Sequence, residues 1–385
     1  MSLTGQLRDG GLAAWCTATL TGTTAVATQV ADRAATAAAA VAPPVRPRRV
    51  DSPEHWAAIG GALGQRLAFA TGHAPPFYAL LGAHRAGLAD WATIQHAAAR
   101  FPTHAGLDPA RAARANQLRP LPGGAWLDLD HAPTADLAGR STHGARPALL
   151  LDLVDRLVAF LAAHAPPGGL ADTRGAEAVV ARVCMVLTDC ESAYRGGHLP
   201  PAAAARWADP ATTAADLLAA VPDHQVAELI DLIARAHTAG LLTRLAPDPT
   251  TPVGIAGPVL VEHWADGDLL IPTDPTTDAA RESGWVLLDV KTVMSVRDPD
   301  RVARWLWQLL GYAWLDHDDA HRIRGVGLYL ARHGALITWP LDRFAAALLD
   351  GADVPGAHAE FRELAGRAWA AESGRPTAGH TPARR

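Results

Sequence analysis

The sequence predicts an α/β protein in which a large N-terminal helical region precedes a core made of a mixed sheet flanked by helices. From 51 to about 245 the apolar residues recur at helical spacing between Gly and Pro breaks. After Pro252 the apolar runs become short and rich in Val, Ile and Leu, which is typical of strands. The chain of 385 residues is 49% hydrophobic and 19% charged, so it can bury a core of this size.

Residues 1–50 are predicted to be an Ala-, Pro- and Arg-rich N-terminal segment, with a linker over 33–50. The linker contains the basic run Arg46-Pro47-Arg48-Arg49, which could contact phosphate but is more typical of a solvated linker.

No run of 18 apolar residues lacks charge, and the N-terminus has no firm apolar stretch of a signal peptide. Three cysteines without a CxxC pair indicate reduced thiols, so we expect a cytoplasmic protein that does not enter a membrane.

The helical region is predicted over 51–245. Its first helix has Ser52 as a plausible N-cap and Pro53 at the first helical position. Residues 346–385 are predicted to form a C-terminal helix and then a disordered tail from about 371, where the residues are small, polar and basic. Further helices of the helical region are predicted at 90–100, 146–164, 175–195 and 223–241.

The sheet-containing core is predicted over 246–345. Asp266-Gly267 is a possible tight turn between its first two strands. Asp298 followed by Pro299 is a helix start, because Asp caps the free backbone N–H groups and Pro suits the first turn. The elements in order are strands at Val253–Glu262, Asp268–Ile271 and Trp285–Val290, a helix at 298–316, and strands at Gly325–Leu330 and Ala335–Trp339.

Basic residues are almost all arginine: of 34 Lys and Arg, only Lys291 is lysine. A lysine kept in such a composition indicates a task for a compact ammonium, which the rigid guanidinium fork of arginine does not perform. The count also excludes a P-loop nucleotide-binding site, because Lys291 lies in Asp-Val-Lys-Thr without the preceding glycines.

Two carboxylates are predicted to lie beside this lysine. Asp289 and Lys291 are two residues apart on a strand, so their side chains leave the same face while Val290 points into the core. Asp268 begins the neighbouring strand, and a hairpin would place it alongside Asp289. Paired carboxylates suit Mg²⁺ or Mn²⁺, which relieves their mutual repulsion. Asp266 is the alternative first acid if the strand begins two residues earlier.

The helix that follows carries Gln308 and Tyr312, which project from one face at a spacing of four residues. Trp305, Leu309 and Leu315 can supply the apolar contacts of this helix with the sheet. The amide and the phenol are suited to bind a phosphodiester or to brace Lys291.

The order Asp268, then Asp289-Val290-Lys291, then Gln308 and Tyr312 resembles the PD-(D/E)XK nuclease superfamily, in particular its RecB-like and lambda-exonuclease-like branch with a QxxxY helix. The resemblance covers about 90 residues, from 253 to 339, and implies a restriction-endonuclease-like core. It also implies that Asp268 and Asp289 bind the metal, that Lys291 is catalytic and that Gln308 and Tyr312 line the site.

The resemblance further implies that a helix before the first strand supplies another acidic ligand. The candidates are Glu191 and Glu228. Glu191 is favoured because Asp189, Glu191 and Arg195 form a polar cluster on an otherwise apolar helix.

Three functions remain open at this point. The first is a Mg²⁺-dependent nuclease that hydrolyses phosphodiester bonds in DNA, for DNA repair or defence against foreign DNA. The second is an inactive nuclease-fold protein that binds nucleic acid or acts as a scaffold subunit, and the third is an unrelated α/β enzyme. A net charge of −5 argues against coating nucleic acid through bulk positive charge. With no helicase motor in the chain, a protein partner would supply motor activity or targeting.

Overall fold

The computed structural model describes residues 2–40, 42–49, 53–102, 145–247, 254–261, 264–273 and 284–373. These residues form an α/β protein, as predicted, with a five-stranded mixed sheet flanked by helices. The helices are α1 (Leu3–Asp9), α2 (Gly11–Thr19), α3 (Thr23–Ala40), α4 (Pro53–Thr71), α5 (Phe77–Arg85), α6 (Trp91–Ala98), α7 (Pro147–His164), α8 (Arg174–Gly196), α9 (Pro201–Ala208), α10 (Ala214–Ala219), α11 (Asp223–Thr238), α12 (Leu241–Leu245), α13 (Pro299–Trp314), α14 (Leu341–Leu348) and α15 (Val354–Ser373). The strands are β1 (Ile255–Ala256), β2 (Val259–Val261), β3 (Ala265–Asp266), β4 (Leu269–Pro272), β5 (Trp285–Lys291), β6 (Ile323–Leu330) and β7 (Ala335–Pro340).

The main sheet has the order β1-β4-β5-β6-β7. Strands β5 and β6 are parallel and are connected through α13, whereas the other neighbours are antiparallel. Strands β2 and β3 form a separate two-stranded sheet. The pairing of Leu269 with Leu288 fixes the β4–β5 register, and the next position in that register places Asp268 opposite Asp289.

The two faces of the sheet are buried in different cores. Leu269 and Leu288 contact the apolar side chains of the helical region, whereas Leu270 and Leu287 face α13 and the N- and C-terminal helices. Successive residues therefore point to opposite faces, as the period of a strand requires. Both faces are covered by helices, which explains why β5 is apolar on both sides until it reaches Asp289.

The N-terminal segment is more ordered than its composition indicates. Thr23–Ala40 is one helix, so the predicted linker over 33–50 is helical in its first part. Leu3, Leu12 and Val30 lie in the same buried core as α13 and the sheet. A weak, Ala-rich apolar stripe suffices here because the sheet and α13 supply the larger side chains.

Several predicted boundaries differ in detail. The run over Val253–Glu262 forms two short strands, since the chain turns at Gly257, whose φ of +61° suits glycine. Asp266-Gly267 is not the tight turn between strands: Asp266 is part of β3 and pairs with Val259. Helix α4 begins at Pro53, while Ser52, the loop over 274–283 and the tail after 373 lie outside the described residues.

None of the described helices is long and apolar enough to span a membrane.

Close helix contacts hold the helical region together. Helices α5 and α8 approach so closely at Gly82 that an added Cβ atom would lie 1.8 Å from the backbone oxygen of Cys190. Cys16, Cys184 and Cys190 are all buried and are free thiols. The long helix α8 also contacts α4, and these two helices form the wall that faces the sheet.

A buried arginine connects this wall to the sheet. Arg332, which follows β6, donates from Nε to the backbone oxygen of Thr292 (2.6 Å) and from Nη1 to that of Val45 (3.0 Å). Its Nη2 pairs with Glu228 on α11, and its guanidinium lies 4.8 Å from the ring centre of Trp56 on α4. Both charged side chains are fully buried, so each depends on the other.

We predict that Glu228→Ala destabilises the protein strongly, because it leaves the Arg332 charge buried without a counter-ion. Loss of one partner of a buried pair costs about 3–5 kcal/mol. Urea denaturation followed by circular dichroism measures the change. Arg156→Ala is the control, since Arg156 forms an exposed pair with Asp152, and such pairs contribute about 0–1 kcal/mol. Equal urea midpoints for the two variants would contradict the prediction.

Candidate active site

A cavity of about 1100 Å³ lies between the sheet and the helical region. Its walls come from α4 and α8 on one side and from β3, β4 and β5 on the other, and α13 and the N-terminus close one end. The five predicted site residues all line it: Asp268, Asp289, Lys291, Gln308 and Tyr312.

Asp289 and Lys291 lie at the end of β5 and form an ion pair. The Lys291 Nζ atom is 2.7 Å from Oδ2 of Asp289, whose carboxylate is almost fully buried. The geometry of this contact is not that of a hydrogen bond, and Oδ2 has no other partner among the described residues. The carboxylate therefore has one buried oxygen with remaining capacity to accept a ligand or a donor.

Asp268 is anchored beside this pair by the backbone of β5. Its Oδ2 accepts a hydrogen bond from the N–H of Val290 (2.6 Å). The carboxylate therefore serves this N–H as acceptor, in place of a backbone carbonyl of a neighbouring strand. The side chain of Asp268 is accessible from the cavity, but protein atoms surround it on the other sides. Desolvation and the nearby charge of Asp289 raise the pKa of Asp268 to about 7, against the lowering effect of Lys291.

Gln308 and Tyr312 on α13 form a chain of contacts with the lysine. Lys291 Nζ donates to Oε1 of Gln308 (3.2 Å), and Nε2 of Gln308 donates to the Tyr312 hydroxyl (2.7 Å). Nε2 also donates to Oγ1 of Thr4 on α1 (3.2 Å). Burial raises the pKa of Tyr312, which keeps its hydroxyl protonated. Trp305 lies 5.8 Å from the ammonium and completes the surroundings of the lysine.

Asp266, the alternative first acid, takes a different part in the cavity. Arg195 on α8 donates to its Oδ2 (3.0 Å), and the same guanidinium donates from Nε to Glu191 (2.7 Å). Gln65 on α4 holds the other oxygen of Glu191 (2.8 Å). Asp266 thus pairs with α8, and Asp268 is the acid that stands in register with Asp289. Glu191 faces the cavity from the opposite wall.

Glu228, the second candidate for an additional acid, lies outside the cavity. It is fully buried between Arg332 and His55, whose Nε2 is 3.1 Å from the Glu228 Oε2 atom. Its position between two helices and the end of β6 is that of a structural ion pair. Of the two candidates, only Glu191 lines the cavity.

Sequence reasoning missed several residues of the cavity wall. Gln65 and Thr4 contact predicted site residues, yet neither belongs to a pattern that singles it out. Asp189 was visible as part of a polar cluster on α8, and burial raises its pKa to about 6. The polar face of this otherwise apolar helix was the available signal that α8 borders a site.

The cavity offers a pair of carboxylates for a cation. The nearby charge of Asp289 contributes to the raised pKa of Asp268, and the Asp289 Oδ2 atom accepts no hydrogen bond from the described residues, so the two carboxylates fit a hard divalent cation. Within the described ranges no cluster of three or more His, Cys, Asp or Glu side chains is arranged to hold a metal. Water and substrate oxygens commonly complete the coordination of Mg²⁺.

Comparison of the chain with protein-family models, with curated proteins and with solved structures finds no match. The chemistry of the cavity therefore rests on its own geometry: two carboxylates, an ammonium, an amide and a phenol that lie just before β4, on β5 and on α13.

We predict a pH effect from the raised pKa of Asp268. Between its ordinary pKa of 3.8 and about 7, the folded protein holds a proton that the unfolded chain has released. The free energy of unfolding must therefore fall as the pH rises through this range. Urea midpoints measured in chelator at several pH values should show this fall, and Asp268→Asn should reduce it.

Other groups, including Asp189, titrate in both proteins, so their effect cancels in the comparison. Parallel pH profiles for the wild type and Asp268→Asn would show that the carboxyl of Asp268 titrates normally.

Proposed function

We propose that the protein is a metal-dependent nuclease that hydrolyses phosphodiester bonds in DNA, with a core of the PD-(D/E)XK type. The observation that carries the proposal is the convergence of Asp268, Asp289 and Lys291 at one wall of the cavity, with Gln308 bonded to the lysine. These are the residues and the order of elements for which the resemblance implies this chemistry.

The proposed cofactor is Mg²⁺ or Mn²⁺, held by Asp268 and Asp289. A bound divalent cation would supply a Lewis acid for phosphate oxygens and an activated water. The Asp289 Oδ2 atom, which accepts no hydrogen bond within the described part of the chain, and the raised pKa of Asp268 support this assignment, because a cation removes the repulsion between the two carboxylates.

The protein's own residues would then bind and orient the phosphodiester. The ammonium of Lys291 can stabilise negative charge that develops on the phosphate oxygens, since it lies at a desolvated wall where such an interaction is strong. Gln308 fixes the ammonium by accepting a hydrogen bond, and Tyr312 and Thr4 fix the amide in turn. Because Lys291 only donates, the Gln308 oxygen must face it.

The biological setting is proposed more broadly as DNA repair or defence against foreign DNA. A protein partner would supply any motor activity or targeting. The alternative is an inactive nuclease-fold subunit that binds nucleic acid or acts as a scaffold, and cleavage assays separate the two.

The direct experiment incubates purified full-length protein with plasmid and linear DNA, with Mg²⁺ or Mn²⁺ and with chelator. We expect cleavage only with the metal. Asp268→Asn and Asp289→Asn should each lower the rate at least about 100-fold, as is typical when a transition-state contact is lost. Asp266→Asn is the matched control in the same cavity, and it should keep most activity. Cleavage that chelator leaves unchanged would contradict the metal mechanism.

A second prediction concerns Lys291. Lys291→Ala should abolish cleavage, but it also leaves the buried Asp289 without its counter-ion, so a loss of activity could reflect misfolding. Lys291→Arg keeps the charge and is the sharper test. We expect it to lose most activity, because the planar fork cannot occupy the position of the compact ammonium.

Circular dichroism and urea denaturation serve as the folding control for both lysine variants. Near-normal cleavage by Lys291→Arg would mean that only the charge matters. Near-normal cleavage by Lys291→Ala would remove Lys291 from the active site and leave the proposed function without its main support.

A further inference from the structure

If a nucleic-acid strand enters the cavity, the cavity itself offers little positive charge to neutralise the phosphates of the strand. Among the residues that the structure describes, the Arg and Lys side chains that line its wall are Arg195 and Lys291, and both already face carboxylates. The affinity of proteins for nucleic acid comes largely from basic side chains that neutralise phosphates. A strand that reaches the cavity therefore needs a basic surface outside it. The carboxylates of the wall are Glu54, Asp189, Glu191, Asp266, Asp268 and Asp289.

A second groove, of about 540 Å³, provides such a surface. It lies between the segment over 42–49 and α11, and Arg46, Arg48 and Arg235 line it. One carboxylate, Asp231, faces these arginines, and it is shared between Arg48 (2.7 Å) and Arg174 (3.5 Å). Arg46 is exposed and makes no hydrogen bond or ion pair with any described residue. The groove therefore keeps an excess of positive charge.

The basic segment is held in place, unlike a solvated linker. Arg235 donates from its two terminal nitrogens to the backbone oxygens of Ala42 (3.0 Å) and Pro43 (2.9 Å). Val45 donates to the backbone oxygen of Arg332 (2.9 Å) and accepts from its side chain (3.0 Å). Four backbone contacts within four residues fix the direction in which Arg46 and Arg48 leave the chain, which lowers the entropy cost of binding a ligand.

The groove is also close to the cavity. Helix α11 contributes Gln225 to the cavity and Asp231 and Arg235 to the groove, which are about 9 and 15 Å further along at 1.5 Å per residue. Arg332 binds Thr292, directly after Lys291, as well as Val45. At one phosphate per about 3.4 Å of axis, as in one strand of a duplex, this distance corresponds to roughly three to four nucleotides.

We propose that the groove lined by Arg46, Arg48 and Arg235 binds the phosphate backbone of the nucleic-acid strand outside the cavity. The assignment rests on the proposed nuclease function for its ligand. Arg46 and Arg48 contact phosphates, while Arg235 mainly positions the segment. The contacts carry no base specificity, because they reach only the backbone.

The test measures binding of fluorescein-labelled single-stranded DNA to the full chain by anisotropy, in chelator so that cleavage does not interfere. Two lengths are used: about 2 nucleotides, which are too short to reach from the cavity to the groove, and about 20, which reach both. The groove variant is Arg46→Gln with Arg48→Gln. The control variant, Arg156→Gln with Arg367→Gln, also removes two exposed charges, each paired with an acid on its own helix.

We expect the groove variant to weaken binding of the long strand and to leave the short strand unchanged. Each lost phosphate contact on a single strand lowers the slope of log affinity against log salt by about 0.7, so the slope should fall by roughly 1.4. The control variant should keep the wild-type slope. Identical slopes and affinities for the groove and control variants would overturn the proposal.

Cleavage and binding separate this proposal from the proposed function. A wild type that cleaves DNA, with a groove variant that behaves like the control, would refute the groove alone. Groove-dependent binding without any metal-dependent cleavage would refute the nuclease and keep the groove. Inorganic phosphate at constant ionic strength is the last probe: displacement of the long strand from the wild type but not from the groove variant means that phosphate competes with the strand for the groove, as the proposal requires. Groove-dependent binding of inorganic phosphate, with equal DNA binding by the groove and control variants, would show a site for free phosphate, and the proposal would be wrong.

Discussion

The buried guanidinium of Arg332 is the constraint on which the arrangement of the protein depends. It joins the residue that follows β5, Thr292, to Val45 in the N-terminal segment and to Glu228 in the helical region. A buried charge is tolerated only when it is paired and hydrogen-bonded, so these three partners cannot separate without a large cost. The sheet and the helical wall are therefore held at a fixed spacing, and the cavity is the space between them.

Two strand pairings, β4 with β5 and β5 with β6, determine the geometry of the candidate site. The antiparallel β4–β5 register brings Asp268 opposite Asp289, whose charge makes ionisation of Asp268 less favourable. The parallel β5–β6 pairing requires a crossover, and α13 is that crossover, so it lies over the sheet face from which Lys291 projects. Gln308 reaches the lysine because of this topology.

Charge is divided between two places in the molecule. The cavity concentrates carboxylates, which suit a cation and disfavour phosphate, whereas free arginine charge lies in the groove beside α11. If a strand binds both, its affinity and its chemistry depend on different residues. Substitutions in the groove would then alter binding and its salt dependence, and substitutions around Lys291 would alter the chemical step.

Local sequence patterns correctly predicted the direction of side chains within single elements. A strand period of two put Asp289 and Lys291 on one face, and a helical spacing of four put Gln308 and Tyr312 together, as the structure has them. The contacts between distant elements, by contrast, follow from the three-dimensional packing: Thr4 against Gln308, Asp268 rather than Asp266 opposite Asp289, and Glu191 rather than Glu228 in the cavity wall. The Ala-rich helices before residue 41 also owe their place to packing. Backbone periodicity is local and is written into neighbouring residues, whereas contacts between elements hundreds of residues apart depend on the burial and pairing of the whole chain.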